Sequence, residues 1–190
     1  MKYEITSGPA AEPVSLSEAK AQLRVDGSDE DNLILSLISV ARLKAESETG
    51  RMLISQTAKA YCDSWPAGNV LYLPLYPVSA VSSVAYIDED GASQTWSSSN
   101  YTVDLIGKTP RIVLNPDADA PEVGNYPNAI TVTFTVGDAT ATAVPADIKH
   151  AILTTLTLLY EHREDMRLND NTPGVRTSNW LQFSHRANLI

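Results

Sequence analysis

The chain has 190 residues, of which 43% are hydrophobic, a formal net charge of −9 and a pI of about 4.7. This length favours one domain or two small ones, with enough apolar content to bury a real core. The acidic balance excludes a protein that grips nucleic acid by neutralising phosphates, although it permits one that surrounds DNA without holding it. The single cysteine, Cys62, excludes an internal disulfide, and a reducing compartment is the simpler reading. Residues 1–14, "MKYEITSGPAAEPV", carry no apolar h-region of a secretory signal. No stretch reaches the roughly 18 apolar residues of a membrane helix, so no membrane partner is expected.

In chain order, "PVSLSEAKAQLRV" places Ser15 and Glu18 at the spacing of a capping box, ahead of a short apolar stripe of Leu16, Ala19 and Leu23. Asp26 and Gly27 then join this short helix to a second. There Ser28 is the expected N-cap, and Asp29, Glu30 and Asp31 fall in a first turn that favours carboxylates. Leu33, Ile34, Leu37, Ile38, Ala41 and Ala45 follow at helical spacing as one apolar face, and Gly50 ends the pattern. The acidic cluster lacks the Asp-x-Asp-x-Asp-Gly order of a calcium loop, so a helix start is the better reading.

After Gly50 the period becomes alternating. Strands are predicted over 54–63, 69–74, 81–88, 93–96, 101–105, 111–114 and 129–136, with a turn at Glu89-Asp90-Gly91. In the last of these Ile130, Val132, Phe134 and Val136 point one way and Thr131, Thr133 and Thr135 the other, as in a half-buried antiparallel strand. Residues 115–128 read as a loop. Helical spacing returns with Pro145 at the expected first position, Asp147 in the first turn and an inner face of Ile148, Ala151, Ile152, Leu156 and Leu159.

The expected architecture is α+β. An N-terminal helical hairpin (14–53) and a long C-terminal helix (144–166) pack together, an antiparallel β block (54–137) is inserted between them, and an extended tail (167–190) follows. The tail is polar and broken by Pro173-Gly174, yet carries Trp180, Leu181 and Phe183 together. Such a cluster either anchors the segment on another surface or folds back on its own domain.

Little in the sequence points to chemistry. His150 and His162 stand about 18 Å apart along one helix, too far to share a metal. The chain has no C-x-x-C, H-E-x-x-H or G-x-S-x-G motif, phosphate loop or dinucleotide fingerprint. Cys62, inside a strand pattern, reads as structural. "EHRED" at 161–165 reads as a solvated, ion-paired helix end. No catalytic residue, metal or cofactor is therefore expected.

The order of these pieces resembles the gp6-like head–tail connector, or adaptor, family of tailed bacteriophages over roughly residues 10 to 165. "PVSLSEAKAQLRVDGSDEDNLILSLISVARLKAESETGRMLISQT" resembles its opening helices and the turn into its first strand. "LYLPLYPVSAVSSVAYIDEDGASQTW" resembles its proline-flanked strand and hairpin. "YTVDLIGKTPRIVL" and "NAITVTFTVGDATATAVPADIKHAILTTLTLLYEHRED" resemble its later strands and last helix. The resemblance implies a structural protein of the virion neck, assembled in the host cytoplasm. It implies a ring of copies, usually a dodecamer, beneath the portal protein, with helices side by side around a channel that DNA crosses without tight binding. A downstream stopper or tail-completion protein would follow. On this reading Trp180, Leu181 and Phe183 anchor the tail on the portal, and Arg176 and Arg186 add charge pairing. The alternative is a carbohydrate- or protein-binding virion module using Trp65, Trp96 and Tyr101 of the β block. A metal-assisted hydrolase comes third, for lack of a ligand cluster.

Overall fold

The computed structural model describes residues 1–162. It has three helices, α1 (Leu16–Leu23), α2 (Asp31–Thr49) and α3 (Ala146–Glu161), and eight strands. The strands are β1 (Lys2–Ser7), β2 (Gln56–Cys62), β3 (Val70–Tyr72), β4 (Val78–Ile87), β5 (Ser93–Trp96), β6 (Tyr101–Asp104), β7 (Arg111–Leu114) and β8 (Ile130–Val136). The chain divides into two units. One comprises Met1–Pro9 and Ser55–Gly137; the other comprises Ala10–Ile54 and the described residues from Asp138 onward.

In the helical unit the capping box forms. Ser15 Oγ accepts the Glu18 N–H at 3.2 Å, and the Glu18 carboxylate accepts the Ser15 N–H at 2.7 Å. The hydrogen bonds to Ser15 hold the Glu18 carboxyl below its ordinary range. Gly50 ends α2 at φ 65°, a left-handed conformation that glycine adopts without steric cost. The core joins Ile34, Ile38, Ala41 and Ala45 of α2 to Ile148, Ala151, Ile152 and Leu156 of α3, with Val14, Ala19, Leu53, Ile54 and Val144 around them. Each fully buried aliphatic side chain contributes roughly 1.5–3 kcal/mol, and α1, in which only Ala19 is buried, is held by this shared core rather than standing alone.

Two expected helix starts are corrected. Ser28 does not cap α2: its carbonyl accepts the Asp31 N–H at 3.2 Å within a preceding turn, and the capping residue is Glu30, without a side-chain cap bond. Lys20 donates to the Gly27 carbonyl and, at 2.7 Å, to Asp31, closing this connection over several residues and delaying the helix. Of the acidic cluster only Asp31 lies in the first turn. At α3, Pro145 is the cap rather than the first helical residue, and its carbonyl accepts the Lys149 N–H at 3.1 Å.

The other unit holds a five-stranded sheet, order β1-β2-β8-β4-β5, and a three-stranded sheet, order β3-β7-β6; every pairing is antiparallel. β8 sits at the centre of the larger sheet, and its alternation is as read: Ile130, Val132, Phe134 and Val136 are buried and the threonines half-buried. β4 begins three residues before the predicted strand and carries two register irregularities against β8. β1, to which the sequence analysis assigns no element, is an edge strand with all six residues exposed. Loop 115–128 closes against the β4–β5 hairpin through the Gly124 N–H to the Ile87 carbonyl, 2.9 Å. A Cβ at Gly124 would stand 2.4 Å from the Asp88 carbonyl oxygen, so only glycine fits this approach.

Candidate interaction surfaces

α2 is apolar on two sides. Ile34, Ile38, Ala41 and Ala45 face the core. On the outer side Leu33, Ser36, Val40, Leu43 and Ser47 follow one another at steps of three, four, three and four residues, the spacing of a helix-packing seam. Leu33 is 37% exposed, Val40 45% and Leu43 57%. Leu33 therefore leaves the inner face to which the sequence analysis assigns it, while Leu37 is half-buried against the core. Ser36 Oγ donates to the Leu33 carbonyl at 2.7 Å, so its hydroxyl is satisfied within the helix. Small residues at such positions let a second backbone come close.

A buried charge cluster fixes the helix behind this seam. The Arg42 guanidinium donates through Nε to Glu12 at 2.8 Å and through a terminal nitrogen to Glu46 at 2.7 Å. The other Glu46 oxygen accepts the Leu53 N–H at 3.0 Å. Arg42 and Glu46 are each 6% exposed. Burial pushes the Glu46 carboxyl above its ordinary range, against the opposing pull of the Leu53 N–H and Arg42. Ser39 adds a bond to Glu12 at 2.8 Å. Arg51 grips Asp138 with 2.8 and 2.9 Å contacts, tying together the two segments by which the chain leaves and re-enters the helical unit. At the far end of α3 the Tyr160 hydroxyl donates to Glu30, at the start of α2.

Trp65, Trp96 and Tyr101 meet in the sheet unit. Trp65 lies edge-on to Trp96 at 4.7 Å between centroids, and Trp96 stacks on Tyr101 at 5.3 Å. Trp96 and Tyr101 are buried and Trp65 half-buried. The rings spend their faces on one another, which is core packing and not an exposed stacking platform. Cys62 is half-buried and burial pushes its thiol up to about 11, which disfavours the nucleophilic thiolate. His150 and His162 are exposed. Among the described residues no three His, Cys, Asp or Glu side chains stand close enough to hold a metal, and no helix is long and apolar enough to cross a membrane. The predicted tail anchors Trp180, Leu181, Phe183, Arg176 and Arg186 lie outside the described residues.

The outer seam of α2 is the surface that sequence reasoning missed. Its signal was present, because Leu33, Val40 and Leu43 share one helical face, with Ser36 and Ser47 completing the spacing.

Solved structures share this fold, three of them from gene transfer agent particles. A chain in the neck of an empty gene transfer agent (GTA) particle computed with C6 symmetry superposes at TM-score 0.80 and 21% identity, covering 100% of this chain and 98% of that one. One in the virion of a native GTA particle gives 0.81 and 22%, with 100% and 97% coverage. One in a native GTA neck computed with C12 symmetry gives 0.77 and 20%, with 100% and 98% coverage. A search of curated proteins finds no match. Residues 13–109, which span α1, α2 and the strands as far as the β6–β7 connection, match the phage gp6-like head–tail connector proteins. That match leads to one assignment: the chain belongs to the phage gp6-like head–tail connector protein family, and its role is that of a structural connector.

Proposed function

We propose that this connector works as a closed ring of copies in the neck of a phage-like particle, beneath the portal protein and above a stopper or tail-completion protein. The ring continues the channel through which DNA leaves the head. The observation that carries this reading is the outer seam of α2. An acidic chain that exposes three aliphatic side chains at regular helical steps has left a face for another helix, and a neighbouring copy supplies one. A ring requires a heterologous contact that closes on itself, and chains of this fold occur in necks computed with C6 and C12 symmetry. The net charge of −9 suits a conduit: acidic walls repel the duplex and leave it free to slide.

The test replaces Val40 and Leu43 together with aspartate in the full chain. Both positions are exposed, so circular dichroism should not change. Native mass spectrometry, with the chain alone and with the particle's portal protein, should show the ring lost. Rings at wild-type abundance in the double variant would overturn the seam.

In the same reading residues 167–190 form the portal-binding arm, with Trp180, Leu181 and Phe183 as anchors and Arg176 and Arg186 as flanking charges. A polar segment with one aromatic cluster gains its ordering free energy from a partner, and repetition around a ring multiplies weak contacts. Deleting residues 168–190 is expected to leave the thermal stability of the chain unchanged and to abolish co-sedimentation with the portal. A large stability loss, or unchanged binding, would assign the tail to its own domain instead.

A further inference from the structure

The five-stranded sheet is open, and its two edge strands match one another. β1 is exposed along its whole length, and Ser93, Gln94 and Thr95 of β5 are exposed at the opposite edge. Exposed edges of this kind present unpaired backbone groups that proteins ordinarily cover or guard.

The side chains show which face a partner would meet. Paired residues share a face. Tyr3 pairs with Ala60, Ala60 with Val132, Val132 with Val84, and Val84 with Trp96. Ile5 likewise continues the row of Ala58, Phe134 and Val81. The inner members Ala58, Ala60, Val84, Val132 and Phe134 are buried, whereas Tyr3 is 53% and Ile5 37% exposed. The buried face of the sheet thus runs one strand past its cover. The other face of β1 is polar and already occupied, with the Tyr61 hydroxyl on Glu4 at 2.6 Å and the Thr6 hydroxyl on the Thr57 carbonyl at 3.1 Å.

Direction and charge agree. Four successive antiparallel pairings make β1 and β5 run the same way. Lys2, at the start of β1, lies in the row of Thr95. The turn entering β5 at that same end carries Asp88, Glu89 and Asp90. Asp88 is engaged in its own turn, accepting the Ala92 N–H at 2.8 Å and the Gln94 amide at 2.9 Å, while Glu89 and Asp90 are exposed.

We propose that the β1 edge of one copy joins the β5 edge of the next in parallel, so that the sheets form a belt around the ring, with Lys2 facing the Glu89–Asp90 turn of its neighbour. Each copy then uses both of its edges in one heterologous contact, and closure leaves no edge free. This inference rests on the ring reading above.

Cross-linking tests it separately. In a Cys62→Ser background, which removes the only native thiol, Thr95→Cys is combined in turn with Lys2→Cys, Glu4→Cys or Thr6→Cys. Mild oxidation of the assembled full chain should give, from at least one pair, a ladder of disulfide-linked multimers, with none from any single-cysteine variant. Dimers from a single β1 cysteine would indicate β1 against β1 and overturn the proposal, as would rings in native mass spectrometry that yield no ladder from any pair. Absence of rings from the Cys62→Ser parent would overturn the ring reading and this inference with it. A charge swap provides the second measurement. Glu89→Lys with Asp90→Lys should deplete the ring, and adding Lys2→Glu should restore it; failure of that rescue removes the assigned register.

Discussion

Arg42→Ala is expected to destabilise the chain by about 3–5 kcal/mol, because it strands a buried carboxylate rather than merely deleting a contact. Glu46 is 6% exposed and receives one charged donor from Arg42 and one backbone donor from Leu53. Without the guanidinium its charge stays buried near a second carboxylate, Glu12, which loses its charged partner and keeps only the Ser39 hydroxyl. The pH dependence identifies this cause. Burial already raises the Glu46 pKa in the folded state. A carboxyl so raised contributes stability that is fully present below its unfolded pKa and is lost as pH rises through the folded one. Removing Arg42 raises the folded pKa further, so the deficit against wild type should be largest near neutral pH and shrink on acidification toward pH 5. Urea denaturation at a series of pH values measures this, and a deficit independent of pH would reject the stranded-charge account.

Phe134→Ala should cost a similar amount, about 3–5 kcal/mol, for a different reason. Phe134 is fully buried on the central strand of the larger sheet and pairs with Ala58 on one side and Val81 on the other. Its cross-strand neighbours, an alanine and a valine, are too small to fill the vacated space. Phe134→Leu, which keeps most of the volume, should recover most of the loss. Equal losses for the two substitutions in equilibrium denaturation would show that the site collapses freely.

How far the residues announced this structure depends on the scale of the signal. Ser15 and Glu18 stand three apart and form the expected cap, because a capping box is closed by its own residues. β8 is as legible, since a central strand must bury alternate residues. Ser28 misled because the connection before α2 is held from outside by Lys20, eleven residues ahead of Asp31. β1 buries nothing, so no burial demand marked "KYEITS", although Tyr3 and Ile5 do alternate with Lys2, Glu4 and Thr6. On α2 the periodicity was plain but double. Both 34-38-41-45 and 33-36-40-43-47 satisfy a helical repeat, and spacing alone cannot say which seam meets the chain's own core and which is left outward.

The contact between Tyr160 and Glu30 also has a mechanical meaning. Tyr160 lies two residues before His162, where the described chain ends, and Glu30 caps the start of α2. A pull applied at the C-terminal end of α3 meets that bond first. It is taken up by the hydroxyl–carboxylate bond and by the interlocked side chains of α2 and α3, loaded in shear, a direction in which many contacts must yield together. The end of α3 is thereby braced against the start of α2 through both the bond and the shared core.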